Sequence, residues 1–280
     1  MTEPQETVRA QQKKSWDDFA GGWDRWAGEI AAWGGPVTAA MREALDAGAG
    51  DHVLDIASGV GEPALSIAEA TGCRYTLTDL SPNMVDLARA AAERRGVEIV
   101  EGRACGGENL PFEDDSFDAL TCRWGIMFMP DDLACAKEMR RVVKPGGRVV
   151  LSVWNTPQEN PWAVVPMGII GQHVEMPPPN PDAPGIFRHG PPGKVEAVLE
   201  AAGLTGIESR DVDVTWRMDS VEDMWGMALE MAAPIAGMRA RADAAGREAI
   251  DREVIAAMRQ YEGPEGVRVP GRARVVSARA

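Results

Sequence analysis

Between residues 52 and 154, short apolar runs alternate with helix-compatible stretches, and no other feature of the chain narrows its fold so far. HVLDIA (52–57) is followed by a helical stretch at 62–71, and RYTLTDL (74–80) by one at 82–95; VEIVEG (97–102) comes next, SFDALTCR (116–123) leads to a helix at 131–143, and GRVVLSVW (147–154) closes the series. Strands that alternate with helices build βαβ units around a parallel sheet. Strands that are apolar along most of their length, rather than at every second residue, are covered on both faces. The expectation is an α/β fold with helices on both faces of a mostly parallel sheet.

Helical spacing also marks the N-terminal region. Trp16, Phe19, Trp23, Trp26 and Trp33 recur at intervals of three, four and seven, so residues 5–47 read as a helical cap. Breaks are expected at Gly21-Gly22 and at Gly34-Gly35-Pro36. Residues 155–192 leave the βα rhythm. Their MPPPNPDAPGIFRHGPPG (176–193) is too rich in Pro and Gly for a helix or a central strand, and reads as a long functional loop or lid. Beyond it come a helix at 192–202, a strand at 206–215, helices near 219–232 and 238–261, and a final alternating strand in which Pro270 marks a bend or an edge. No linker divides the chain, which reads as one domain over 1–280: cap (1–50), core (51–155), lid (156–192) and C-terminal part (193–280).

Charge excludes several classes. The formal net charge is −14, with no dense Lys/Arg run, so neither nucleic acid nor an anionic membrane surface is expected as partner. MTEPQETVRAQQKKSW carries no apolar leader, and no stretch reaches the ~20 apolar residues of a membrane span. The four cysteines form no C-x-x-C pair and read as free thiols of a cytoplasmic protein. No metal-ligand spacing stands out. A homo-oligomer is left open.

The turn Gly59-Val60-Gly61 lies between a strand and a helix, where glycines let the backbone approach a ligand closely. Gly59 to Ala64 fits G-x-G-x-x-G/A, and Asp79 lies 20 residues past Gly59, so NAD is a serious rival on spacing alone. Electrostatics favours a different ligand. Asp55 precedes the turn, Glu62 follows it, and no Lys or Arg occurs between residues 53 and 73. A pyrophosphate would be repelled there, whereas the ammonium and sulfonium of S-adenosylmethionine would be attracted. At the end of the next strand, Asp79 can accept both ribose hydroxyls.

Taken in order, VLDIASGVGEPAL, TLTDLSPNMVDLAR, ENLPFEDDSFDALTCRWGIMFMPD and EMRRVVKPGGRVVLSVW resemble the successive motifs of class I S-adenosylmethionine-dependent methyltransferases, most closely the type 11, quinone C-methyltransferase-like branch. The resemblance covers about residues 50–155. It implies a Rossmann-like, seven-stranded sheet with its last strand antiparallel. By motif, Ala57, Ser58, Gly59, Val60 and Gly61 would line the methionine part of the cofactor, beside Asp55; Asp79 would hold the ribose, and Leu80 and Met84 would flank the adenine. Arg123 and Trp124 would lie near the methyl group. KPGG (144–147) would be structural. Two departures stand out. Pro63 replaces the third glycine of the turn. The acid that in relatives receives the adenine amine is absent from EGRACGGENLPF, where its place falls at Arg103 or Gly106, beside Ala104.

Nine Trp against two Tyr and five Phe suggest an aromatic acceptor pocket drawn from the cap and the strand ends, with Trp23, Trp124, Met127 and Trp154 as its walls. Helical spacing alone equally makes the cap tryptophans core anchors. A hydroxyl acceptor would need a base; His189, in the proline-rich loop, is the candidate, and Arg188 could hold a substrate carboxylate. The expected function is methyl transfer to a carbon or oxygen of a small apolar metabolite, aromatic or polycyclic. The alternatives are an NAD-dependent oxidoreductase, and a protein that binds S-adenosylmethionine for sensing or rearrangement.

Overall fold

The computed structural model describes residues 3–176 and 180–280. In chain order the elements are α1 (Glu3–Arg25), α2 (Ala27–Leu45), β1 (His52–Ile56), α3 (Ala64–Thr71), β2 (Arg74–Asp79), α4 (Pro82–Arg95), β3 (Ile99–Ala104), β4 (Phe117–Arg123), α5 (Asp132–Val142), β5 (Val143–Trp154), α6 (Pro161–His173), α7 (Lys194–Ala201), β6 (Thr205–Met218), α8 (Val221–Met231), α9 (Ala233–Ala240), α10 (Ala244–Met258), β7 (Glu262–Gly263) and β8 (Gly266–Arg279). The sheet runs β3-β2-β1-β4-β5-β8-β6, with the short β7 paired to β8. β1 to β5 are parallel, and β8 lies antiparallel between β5 and β6.

Local chemistry sets the helix ends. Ser81 caps α4 by accepting the Met84 N–H, Pro82 opens the first turn, and Gly96 closes the helix in the left-handed region. Strand alternation distributes the core. Val53, Tyr75, Leu77, Ala119 and Val150 are buried together with α2 and the α8–α10 group. Leu54, Ile56, Leu120, Val149 and Leu151 are buried with α5 and α7. Both faces are covered, as the apolar strands require. Pro270 stands in an inner strand, but β5 pairs with β8 only over 273–279, so the proline lies beyond the end of its neighbour, where no ladder bond is lost.

The cap differs from expectation. α1 runs through Gly21-Gly22 and α2 through Gly34-Gly35-Pro36; the chain bends at Trp26 instead. The glycines are sites of close approach rather than breaks. A Cβ on Gly22 would sit 2.1 Å from the Glu230 carbonyl oxygen of α8, and one on Gly34 would sit 2.8 Å from an Arg123 nitrogen. Nothing lies within 4 Å of the same point on Gly21. Gly22→Ala is therefore expected to destabilise the protein by about 2 kcal/mol. Gly21→Ala should be neutral or stabilising by up to ~1 kcal/mol. Urea unfolding of the two variants checks the contrast.

The lid region is also more ordered than a loop. α6 occupies 161–173, and Gly185 to Gly190 docks against the sheet, the Gly185 N–H donating to the Met127 carbonyl at 2.9 Å. Pro177, Pro178 and Pro179 of the predicted lid lie outside the described residues.

Candidate functional site

From β1 the chain crosses to β2 and β3 on one side and then returns to β4 on the other, so the strand order switches direction at β1. Open α/β sheets bind ligands in the crevice outside the carboxyl ends at such a point. Two non-glycine residues with positive φ sit there: Ala57 after β1 (φ 57°) and Trp124 after β4 (φ 56°). Strained backbone of this kind persists only where its surroundings enforce it, and it concentrates at functional sites. The two turns touch, since a Cβ on Gly125 would lie 2.7 Å from the Cβ of Ala57.

The glycine turn is fixed from below. The Ser58 N–H donates to the Thr78 carbonyl at 2.9 Å, and the Gly61 N–H to the Ser58 carbonyl at 2.8 Å. Gly61 packs on Leu65, whereas nothing lies within 4 Å of a Cβ built on Gly59, whose φ of 52° turns that position to open space. Pro63, after a cis peptide bond, precedes α3. Asp79 ties the turn to the next helix: its Oδ2 accepts the Gly59 N–H and its Oδ1 the Ser81 N–H, both at 2.9 Å. Burial pushes its carboxyl up to about 6, against the lowering effect of those amides.

Asp55 is fully buried within β1. Its Oδ1 accepts the Thr121 hydroxyl at 2.6 Å, while Oδ2 has no partner. Burial raises its carboxyl to about 7, only partly countered by Thr121, Ser58 and Arg123. A desolvated acid with one oxygen unpartnered is costly to keep ionised in the absence of a positive charge. Glu62, whose side chain is nearly buried, accepts from Arg95 at 2.5 Å and from the Ser66 hydroxyl at 2.7 Å through the same Oε1.

α1 roofs this crevice. Ala20, Val60 and Met84 form one buried cluster with Trp16 and Trp23 against it, and the Ser81 hydroxyl donates to Asp17 at 2.5 Å. Leu80 is half-buried next to Asp79. Ala104, at the end of β3, is exposed opposite Asp79. Arg103 is turned outward to Glu101, the Pro111 carbonyl and the face of Phe112.

At the end of β4, Arg123 is buried and donates to the Thr38 hydroxyl at 3.0 Å, and its guanidinium stands 4.8 Å from the centre of the Trp124 ring. Trp124 stacks on Trp154 at 4.6 Å and on Trp33 at 5.1 Å; Trp33 stacks on Trp216 at 3.9 Å, and Trp216 on Trp162 at 4.5 Å. The indole N–H groups of Trp33, Trp124 and Trp216 are buried without an acceptor. The sequence identified Trp124 and Trp154 but not Trp33 or Trp216 as part of this wall; the excess of tryptophan was the only signal for them. Trp23 stands apart, donating to the Met231 carbonyl of α8 at 3.1 Å, whereas Trp33, from the same cap, joins the strand-end stack. Met127 is buried beneath the docked lid.

His189 is not the exposed loop histidine that its neighbours in sequence suggest. It is fully buried, with Nε2 3.2 Å from Asp132 Oδ2. Arg188 donates to the Met129 carbonyl at 2.6 Å and lies 3.2 Å from the same carboxylate. Burial would raise the Asp132 carboxyl, but His189 and Arg188 outweigh it and hold it below its ordinary value. His52, by contrast, starts β1, and His173 pairs with Glu253 at the end of α6.

The strand–turn–helix at β1, the acid ending β2 and the strained turn after β4 all fall within one matched segment, residues 54–151, which fits the methyltransferase domain family. The match covers about a third of the chain. Relatives of the domain include the ubiquinone/menaquinone biosynthesis C-methyltransferase of Geotalea daltonii, 41% identical over 38% of this chain and 47% of that protein. The methyltransferase GfsG of Streptomyces halstedii is 36% identical over 41% and 42% of the two chains. An uncharacterized protein of Mycobacterium tuberculosis is 35% identical over 42% and 43%. The chain spans less than half the length of these relatives. Among solved structures, the YcgJ protein of Bacillus subtilis aligns with a TM-score of 0.57 at 21% identity, over 86% of this chain and 97% of that one. The [4+2]-cyclase SpnF aligns at 0.55 and 21%, over 92% and 93%. This likeness in fold covers most of the chain. Among the described residues no helix is long and apolar enough to cross a membrane.

Proposed function

We propose that this protein binds S-adenosylmethionine at the β1 turn and transfers its methyl group to a carbon or oxygen of a small, apolar, planar acceptor, aromatic or polycyclic. The observation that carries the reading is the pair of buried acids at the turn. Asp55 holds an unpartnered carboxylate oxygen in the core, and Asp79 closes the turn onto α4. A dinucleotide would bring two phosphates to that place; a cationic nucleoside brings the charge that the orphaned acid lacks. The relatives named as methyltransferases support the same reading.

The bound cofactor supplies an electrophilic methyl group. The chain's own residues align and shield. Ala57 to Gly61 would cradle the amino-acid part, Asp79 the ribose, and Leu80 and Met84 the base, while α1 excludes water from above. The strand-end tryptophans would present flat faces to the acceptor, and Arg123 a positive charge for its developing oxyanion. For a hydroxyl acceptor, His189 is the base we assign. Of the three histidines it alone lies at the carboxyl end of the sheet, and Asp132 would stabilise the imidazolium formed there.

The test is incubation of the purified chain with S-adenosylmethionine and a panel of phenols, hydroquinones and β-dicarbonyl compounds, followed by mass spectrometry. A methyl-for-hydrogen mass gain with release of S-adenosylhomocysteine is expected. Binding of the cofactor with no transfer to any acceptor would favour a sensing or rearrangement role. Tight binding of NADH in its place would overturn the cofactor assignment.

A further inference from the structure

The acid that the family resemblance leads one to expect in EGRACGGENLPF falls at Arg103 or Gly106, and at Gly106 the space of a side chain is filled from elsewhere. A Cβ on Gly106 would meet Arg9 Cζ at 3.0 Å, Arg9 Nη2 at 3.1 Å and Glu108 Oε2 at 3.1 Å. Arg9 comes from α1 and donates through Nη2 to Glu108 Oε2 at 2.8 Å. The Glu108 side chain is only 2% exposed. Its second oxygen, Oε1, is buried with no donor, and Arg9 Nε is buried with no acceptor. A buried charged pair that leaves one donor and one acceptor unmade is costly unless something else completes it.

The pair stands at the end of the nucleoside crevice. The Cys105 N–H, one residue before Gly106, donates to the Asp79 carbonyl at 2.8 Å, so this loop is joined to the strand end that would hold the ribose. α1, which carries Arg9, continues from there over Ser81 and the Met84 cluster. A purine base leaving a ribose at Asp79 would have its far edge in this region. The adenine edge presents an amine donor flanked by ring-nitrogen acceptors, the complement of one free carboxylate oxygen and one free guanidinium N–H.

We propose that Arg9 and Glu108 together read the adenine edge, Glu108 Oε1 accepting from the 6-amino group and Arg9 Nε donating to a ring nitrogen. The inference rests on the adenosyl-cofactor reading above. It makes recognition of the base depend on the cap helix: a cofactor can be read fully only while α1 is seated. It also gives the pair a strict chemical preference, because a 6-oxo purine would turn an acceptor toward Glu108.

Calorimetry on the full chain with S-adenosylhomocysteine and its deaminated analogue S-inosylhomocysteine tests this. The wild type is expected to bind the adenosyl compound at least about tenfold more tightly, since hydrogen bonds to charged groups carry that much. In Glu108→Gln, whose amide can either donate or accept, the ratio should fall close to one. The double variant Gly106→Asp, Glu108→Gln returns an acid to the same place and should recover most of the preference. Should Glu108→Gln not fold by circular dichroism, Arg9→Met, at the partly exposed end of the pair, should weaken adenosyl binding and narrow the ratio. An undiminished ratio in folded Glu108→Gln or Arg9→Met overturns the proposal while leaving the cofactor reading intact. Absence of adenosyl binding in the wild type removes the cofactor reading itself.

Discussion

Asp79→Ala is expected to abolish measurable S-adenosylhomocysteine binding and, separately, to destabilise the protein by about 2–4 kcal/mol. Both effects follow from one carboxylate with two duties. Its oxygens accept the Gly59 and Ser81 amides at 2.9 Å, and alanine strips the acceptor from both donors. Each buried donor left unpaired costs about 1–3 kcal/mol, less where water enters. The ribose hydroxyls would lose a charged acceptor as well, about 3 kcal/mol or more for two such bonds, which is roughly a hundredfold in affinity. Alanine alone therefore confounds the two losses. Asp79→Asn keeps one acceptor and most of the turn, so it should lose affinity with a smaller change in stability. Calorimetry paired with urea unfolding separates them; unchanged affinity in Asp79→Asn would end the ribose role.

Asp55→Asn should do the opposite to stability. The Asp55 carboxyl is raised by burial from 3.8 to about 7. A raised carboxyl means that the folded state holds its proton more tightly than the unfolded chain does. The resulting stabilisation is complete below pH ~4 and is lost as pH rises through about 7, so the ligand-free protein is weakest in alkaline buffer. Asp79, raised to about 6, adds in the same direction. A shift of ~3 units corresponds to on the order of 4 kcal/mol. Asparagine removes the charge and can still accept from Thr121, but it leaves an amide N–H2 where Oδ2 already has no partner, a cost of about 1–3 kcal/mol. The net expectation is a gain of about 1–3 kcal/mol at pH 8, together with a loss of cofactor affinity of at least about tenfold. In the wild type, cofactor affinity should rise with pH between about 6 and 7 and then level off, because a cation binds the ionised acids. Loss of stability in Asp55→Asn at pH 8, or affinity independent of pH across that window, would show that Asp55 is not a desolvated receptor for positive charge.

The sheet and its turns were legible because they depend on neighbours in sequence. β1, the Gly59–Gly61 turn and α3 form a continuous signal of period and composition, and the limits of α4 at 82 and 95 follow from Ser81, Pro82 and Gly96. Side-chain partners were not legible. Glu62 follows the turn in sequence, but that its Oε1 pairs with Arg95, a full turn-helix-strand-helix later, could not be read there. Gly21-Gly22 spelled a helix break, since local propensity disfavours glycine; the contact between Gly22 and Glu230 turns the same residue into a packing device.

The chain by itself determined an α/β sheet with a glycine turn at the end of its first strand, because backbone period and the conformational freedom of single residues are local properties. Only the tertiary structure decided which tryptophans stack, that His189 is sealed against Asp132, and that Arg9 and Glu108 meet over Gly106. Each of those depends on a free-energy balance between groups brought together from distant parts of the chain, which no spacing along it records.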